Sequence, residues 1–150
     1  SSDLIKVPGL DGSGKMGKSE GNAVNLFDDP KDIRKKVMRA VTDAGPTEMN
    51  SAKPEPIQNL FTLMNIVSDP EVAKHYHEAY AKCEIRYGDM KKQLAEDIIA
   101  VTAPIRQRII EILSDEAYLS RVARQGAEKA RESAAATLRE VRRIVGVKAL

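Results

Sequence analysis

Apolar residues fall into two regimes along the chain, and from residue 28 onward they recur every three or four positions. That is the period of a helix with one buried face. Asp28-Asp29-Pro30 offers an N-cap and a first-turn proline. Ile33, Val37 and Val41 follow at i, i+4 and i+8, with Lys31, Arg34, Lys35, Lys36 and Arg39 on the other faces. The spacing predicts a helix ending near Asp43, before Gly45-Pro46. TEMNSAKPEP reads as a polar loop, and Ile57, Leu60, Phe61, Met64 and Val67 predict a second helix. Ser68-Asp69-Pro70 stops it and caps a third, over about 71–83. Tyr87-Gly88-Asp89 reads as a turn, with Gly88 ending one helix and Asp89 capping the next. The fourth helix carries Leu94, Ile98, Val101, Ile105, Ile109 and Ile112, and Pro104 is expected to kink or break it. Ser114-Asp115 caps a fifth helix reaching to Val145, with Leu119, Val122, Leu138 and Val141 along one face. Unbroken, it is about 45 Å long. Its small residues (Ala123, Gly126, Ala127, Ala130, Ala134) admit a close neighbouring helix.

The head of the chain is different. Gly9, Gly12, Gly14, Gly17 and Gly21 crowd into the first 21 residues, which marks a loop able to bring backbone N–H groups to a ligand. Leu4-Ile5-Lys6-Val7 looks like the end of a strand, terminated by Pro8-Gly9. No later segment offers it a partner strand. The expected fold is therefore mainly α, a helical bundle preceded by the last strand and a loop of a domain that is otherwise absent.

Composition narrows the setting. With 42% hydrophobic and 31% charged residues in 150, the chain reads as soluble and globular. A net charge of +2 gives no strong whole-chain attraction to nucleic acid or membrane, so any RNA contact must come from a local patch. No apolar run approaches the roughly 20 residues of a bilayer span, and SSDLIKVPGL is no signal peptide. The single Cys83 cannot form an internal disulfide, which points to a reducing, cytoplasmic setting. His75 and His77 are two apart on an expected helix and point about 200° apart, so no metal site is expected from them.

The candidate chemistry lies in GSGKMGKS, residues 12–19. The letters match the phosphate-cradling P-loop, G-x-x-x-x-G-K-[ST]. The context does not. A P-loop needs a strand running into its first glycine and a helix starting at Lys-Ser, whose N-terminus completes the anion site. Here Pro8, Gly9 and Asp11 precede Gly12, and EGNAVNLFDDP follows Ser19. No later strand supplies a magnesium-binding aspartate.

Shifted by three residues, Lys15-Met16-Gly17-Lys18-Ser19 resembles the KMSKS loop of class I aminoacyl-tRNA synthetases. VPGLDGSGKMGKSEGNAVNLFDDP, IRKKVMRAVTDAGPTE, IRYGDMKKQLAEDI, API and EKARESAAATLREVRRIVG together resemble the tryptophanyl-tRNA synthetase family over nearly the whole chain. The resemblance implies that residues 1–27 are the C-terminal end of a class I catalytic domain and 28–150 an α-helical anticodon-binding domain. It implies ATP-dependent activation of L-tryptophan to tryptophanyl-adenylate and transfer to tRNA(Trp). ATP, with Mg2+, is then a substrate, and no permanently bound cofactor is implied. Lys15 and Lys18 become the catalytic residues, within an ATP-binding set of Lys15, Met16, Gly17, Lys18 and Ser19. Two flexible ammonium groups suit a site where negative charge builds on departing pyrophosphate. The family has serine where this chain has Gly17. A full-length homodimer is also implied.

The HIGH-type motif of that class needs a histidine before the loop, and both histidines come after it. The chain is therefore expected to be a C-terminal portion, inactive alone. In the last helix, Arg121, Arg124, Arg139 and Arg142 are the candidate tRNA contacts under the resemblance. Glu128, Glu132 and Glu140 interleave with that helix's basic residues, and on the residues alone a solvated face is the better reading than an RNA surface. The alternatives are a tyrosyl-tRNA synthetase fragment, a stand-alone helical RNA-binding or interaction module, and a P-loop phosphotransferase.

Overall fold

A computed structural model describes residues 6–146. It contains five helices: α1 (Pro30–Met38), α2 (Glu55–Val67), α3 (Pro70–Ala81), α4 (Tyr87–Ser114) and α5 (Glu116–Val145). No strand occurs among the described residues. Lys6 and Val7 are irregular, and Leu4 and Ile5 of the expected strand lie outside the described residues. The chain forms two compact units, divided within α4 between Arg106 and Gln107.

In the first unit, Asp29 caps α1 by accepting from the Lys31 N–H at 3.0 Å, and Ile33 and Val37 are buried. The helix stops a turn earlier than its apolar spacing predicts. Two tertiary contacts take the backbone beyond it. The Lys91 ammonium donates to the Ala40 carbonyl at 2.7 Å, and the Val41 N–H donates to the Leu10 carbonyl at 3.1 Å. Val41 itself is exposed. Burial pushes the Lys91 ammonium below its ordinary pKa, and its bonds to Ala40 and to the Thr42 hydroxyl offset part of that penalty.

Helix α2 supplies the centre of the core: Ile57, Leu60, Phe61, Leu63 and Met64 are buried. Phe61 meets Tyr80 of α3 edge-on at 5.8 Å between centroids and lies 4.3 Å from the His77 ring. Asp69 caps α3 through the Glu71 N–H at 2.9 Å. From α4, Met90, Leu94, Ala95 and Ile98 close the core.

The turn into α4 departs from the sequence expectation. Gly88 and Asp89 lie in the helix's first turn, and Cys83 (φ 58°) takes the left-handed position that ends α3. The Glu84 N–H donates back to the Ala79 carbonyl at 2.8 Å, which satisfies an end-of-helix acceptor without glycine. Nor does Pro104 break α4. Ala100, whose carbonyl loses its helical donor there, is exposed, so water can replace the missing N–H. Val101 and Ile105 of the predicted stripe are also exposed, while Thr102 is buried and donates back to the Ile98 carbonyl at 2.8 Å.

In the second unit, Asp115 caps α5 by accepting from the Tyr118 N–H at 2.8 Å, and Gly146 (φ 76°) ends the helix. No residue of α5 is buried. The expected apolar face is there, with Leu119, Val122, Leu138 and Val141 all exposed.

Two stability predictions follow from this core. Phe61→Ala should cost about 3–5 kcal/mol in chemical denaturation, the usual loss for a fully enclosed aromatic. A loss below about 1 kcal/mol would contradict the packing. Burial first, and then the Lys53 charge, hold the His77 pKa below its ordinary 6.5. The unfolded chain thus takes up a proton that the folded chain refuses. Stability should be full above that value and fall as pH drops through it. His77→Gln should flatten the acid side of the melting-temperature profile.

Candidate functional site

The glycine-rich segment has no regular structure, yet Pro8, Gly9, Leu10 and Asn22 are buried. Buried backbone must find partners outside a helix or sheet ladder. The Asn22 side chain, only 4% exposed, supplies two of them and ties two side chains in beside them. Its Nδ2 donates to Asp11 Oδ1 (3.0 Å), Ser13 Oγ (2.9 Å) and the Lys15 carbonyl (3.1 Å). Its Oδ1 accepts from the Gly17 N–H at 2.9 Å. Backbone bonds complete the knot: Leu10 N–H to the Asn22 carbonyl at 3.1 Å, Gly9 N–H to Ser13 at 2.9 Å and Met16 N–H to Val7 at 2.9 Å.

A second asparagine reaches in from α2. Asn59 Nδ2 donates to the carbonyls of Gly12 (3.0 Å) and Ser13 (3.1 Å). Lys36 of α1 holds the exit of the loop, donating to the Ala23 carbonyl at 3.1 Å and pairing with Asp28 at 2.6 Å. Asp11 is held below the usual carboxylate range by the Ser13 hydroxyl, the Ser13 N–H and Asn22. It is therefore an ionised, acceptor-only anchor at neutral pH.

Of the loop residues singled out from the sequence, Lys15, Lys18 and Ser19 are exposed, and neither lysine forms an ion pair among the described residues. Met16 is partly buried and packs on the core beside Val24 and Val67. It also lines a shallow apolar groove of about 180 Å³ with Val7, Leu26, Ile66 and Val101. Two ammonium groups thus stand in solvent on a backbone tied from beneath, an arrangement suited to meeting an anion that arrives from outside. No helix begins at Ser19: residues 19–21 turn, and the next helix starts at Pro30. The helix N-terminus that a P-loop requires is missing from this position.

The four candidate arginines of α5 fall into two pairs, with Lys129 and Arg131 between them. Arg121 and Arg124 lie in its N-terminal third and Arg139 and Arg142 near its end, separated by about 27 Å along the axis. All four are exposed, and Arg121 lies over the Tyr118 ring at 5.5 Å. Asn22, Asn59 and Lys36 were missed by sequence reasoning. Only Asn59 left a trace, as an amide set among the apolar residues of the α2 stripe.

Residues 5–103 match the family model of class I tRNA synthetases (W and Y). The chain is 67% identical over 142 residues to a tryptophan–tRNA ligase of Porphyromonas gingivalis, covering 95% of this chain and 43% of that protein. It is 36% identical over 145 residues to a tryptophan–tRNA ligase of Clostridium longisporum, covering 95% and 42%. Among solved structures, tryptophanyl-tRNA synthetase from Campylobacter jejuni, complexed with ADP and tryptophan, superposes with a TM-score of 0.77 at 27% identity. That match spans 98% of this chain and 45% of the other. The chain thus spans less than half the length of the relatives it matches.

The loop geometry separates two glycines by consequence. A Cβ on Gly9 would overlap Asn22 Nδ2, Asp11 Oδ1 and Ser13 Oγ together. A Cβ on Gly17 would meet only the flexible Glu20 side chain, at 3.1 Å. Gly9→Ala should raise hydrogen exchange at the Gly17 amide and lower stability, whereas Gly17→Ser should leave stability within about 0.5 kcal/mol. Equal effects of the two substitutions would refute the assignment.

Proposed function

The chain belongs to the class I tRNA synthetases of the tryptophan and tyrosine group, and on that premise we propose that it is the C-terminal portion of a tryptophan–tRNA ligase. The observation that carries this reading is the 67% identity to a tryptophan–tRNA ligase along 95% of the chain. It also favours tryptophan over tyrosine within the group. Residues 1–27 form the end of the catalytic domain with its KMSKS-type loop, and residues 28–150 the helical anticodon-binding part.

In the complete enzyme, the carboxylate oxygen of tryptophan attacks the α-phosphorus of ATP. A new P–O bond forms, the bond to the β-phosphate bridging oxygen breaks, and pyrophosphate leaves with the electron pair. The charge grows on the departing group. Lys15 and Lys18 neutralise it, and Met16, packed on the core, limits how far the loop between them strays. The tryptophanyl group then passes to tRNA(Trp). Exposed Arg121, Arg124, Arg139 and Arg142 of α5 serve the tRNA backbone. Magnesium enters with ATP as part of the substrate, and the complete protein works as a homodimer in the cytoplasm.

Lys18→Ala in the full-length ligase should slow tryptophan-dependent pyrophosphate exchange by about 10²–10³ while tryptophan affinity stays the same. An unaltered exchange rate would sink the role given to the loop. The 150-residue chain alone, with no histidine ahead of the loop, should show no exchange. Exchange at the level of a complete synthetase would overturn its reading as a portion.

A further inference from the structure

We propose that Asn22 is the positioning residue of the lysine loop: one buried amide fixes the peptide groups on either side of Met16 and so sets where Lys15 and Lys18 stand. The proposal rests on the function assigned above to those lysines. Asn22 Nδ2 holds the Lys15 carbonyl at 3.1 Å, and Oδ1 holds the Gly17 N–H at 2.9 Å. No other side chain in the described residues grips the loop on both sides of Met16. Sequence separation adds to the point, because Asn22 lies beyond the loop it holds and acts as a clasp rather than a member.

The donor count says where the clasp is weakest. An amide nitrogen has two hydrogens, and Asn22 Nδ2 faces three acceptors. The Ser13 hydroxyl has one hydrogen and faces two, Asp11 Oδ1 at 2.7 Å and the Lys15 carbonyl at 3.2 Å. In both contests the Lys15 carbonyl is the longest contact, and its rival Asp11 carries charge. Letting go of Lys15 strands no donor, since both Nδ2 hydrogens remain on Asp11 and Ser13. The 9–13 segment, held also by Asn59, stays in place. The loop therefore has a fixed root and a release point at Lys15, which suits lysines that must follow a charge as it moves.

The test uses the full-length ligase. Asn22→Ala should lower kcat for pyrophosphate exchange by about 10–100-fold, with tryptophan KM within about twofold. In a Lys18→Ala background the same substitution should cost less than about threefold, because groups acting as one unit are not additive. Asn22→Asp keeps the acceptor for Gly17 but sets a carboxylate against Asp11, and should follow Asn22→Ala. It carries the comparison if the alanine variant does not fold. An equal loss in both backgrounds, an unchanged kcat, or the failure of both variants to fold would overturn the positioning role. Full activity in Lys15→Ala and Lys18→Ala would instead bring down the underlying assignment of the loop, and this proposal with it.

Discussion

Backbone without helix or strand must still pair its buried N–H and C=O groups, and between Val7 and Asn22 backbone bonds and two asparagine amides meet that demand together. Asn22 ties Asp11, Ser13, Lys15 and Gly17 together, and Asn59 ties Gly12 and Ser13 to α2. Each is buried, and each would be costly there unpaired. The consequence is a loop whose root belongs to the helical core. Its register relative to α2 is set by hydrogen bonds to Asn59, 46 and 47 residues further along the chain.

The glycines follow from the same constraint. Gly9 is required because the space its Cβ would take is filled by the polar knot, and Gly12 because its φ of 87° strains any side chain, with Pro56 only 3.0 Å from where a Cβ would sit. Gly17 is different in kind. Its neighbour there is a flexible glutamate, so the serine of the KMSKS pattern fits this backbone with a small shift. The glycine that completes the P-loop letters is thus one that the geometry does not require.

Exposed apolar surface is a second theme. The groove beside Met16 and the uncovered face of α5 leave large aliphatic side chains in water, including Leu26, Leu138 and Val141. Contiguous apolar surface usually meets a partner surface. No helix of the described residues is long and apolar enough to cross a membrane.

Much of the helical body was legible in the sequence. Helix caps and apolar periods are local: Asp29, Asp69 and Asp115 bond backbone within three residues, and Ile57 to Met64 repeat on one face. The candidate lysine pair stands out for the same reason, as part of five adjacent letters. Three things were settled only in three dimensions. Where α1 stops depends on Leu10 and Lys91 claiming the backbone beyond it. Which residue turns the chain before α4 depends on Cys83 accepting a left-handed conformation that glycine was expected to take. What holds the loop depends on Asn22 and Asn59, whose identities say nothing until distant carbonyls are brought to them. The sequence by itself determined the helices and the chemistry on offer, because both are written in residues close together. Tertiary structure decided how that chemistry is held, because a hydrogen bond between remote residues has no period and no spacing to read.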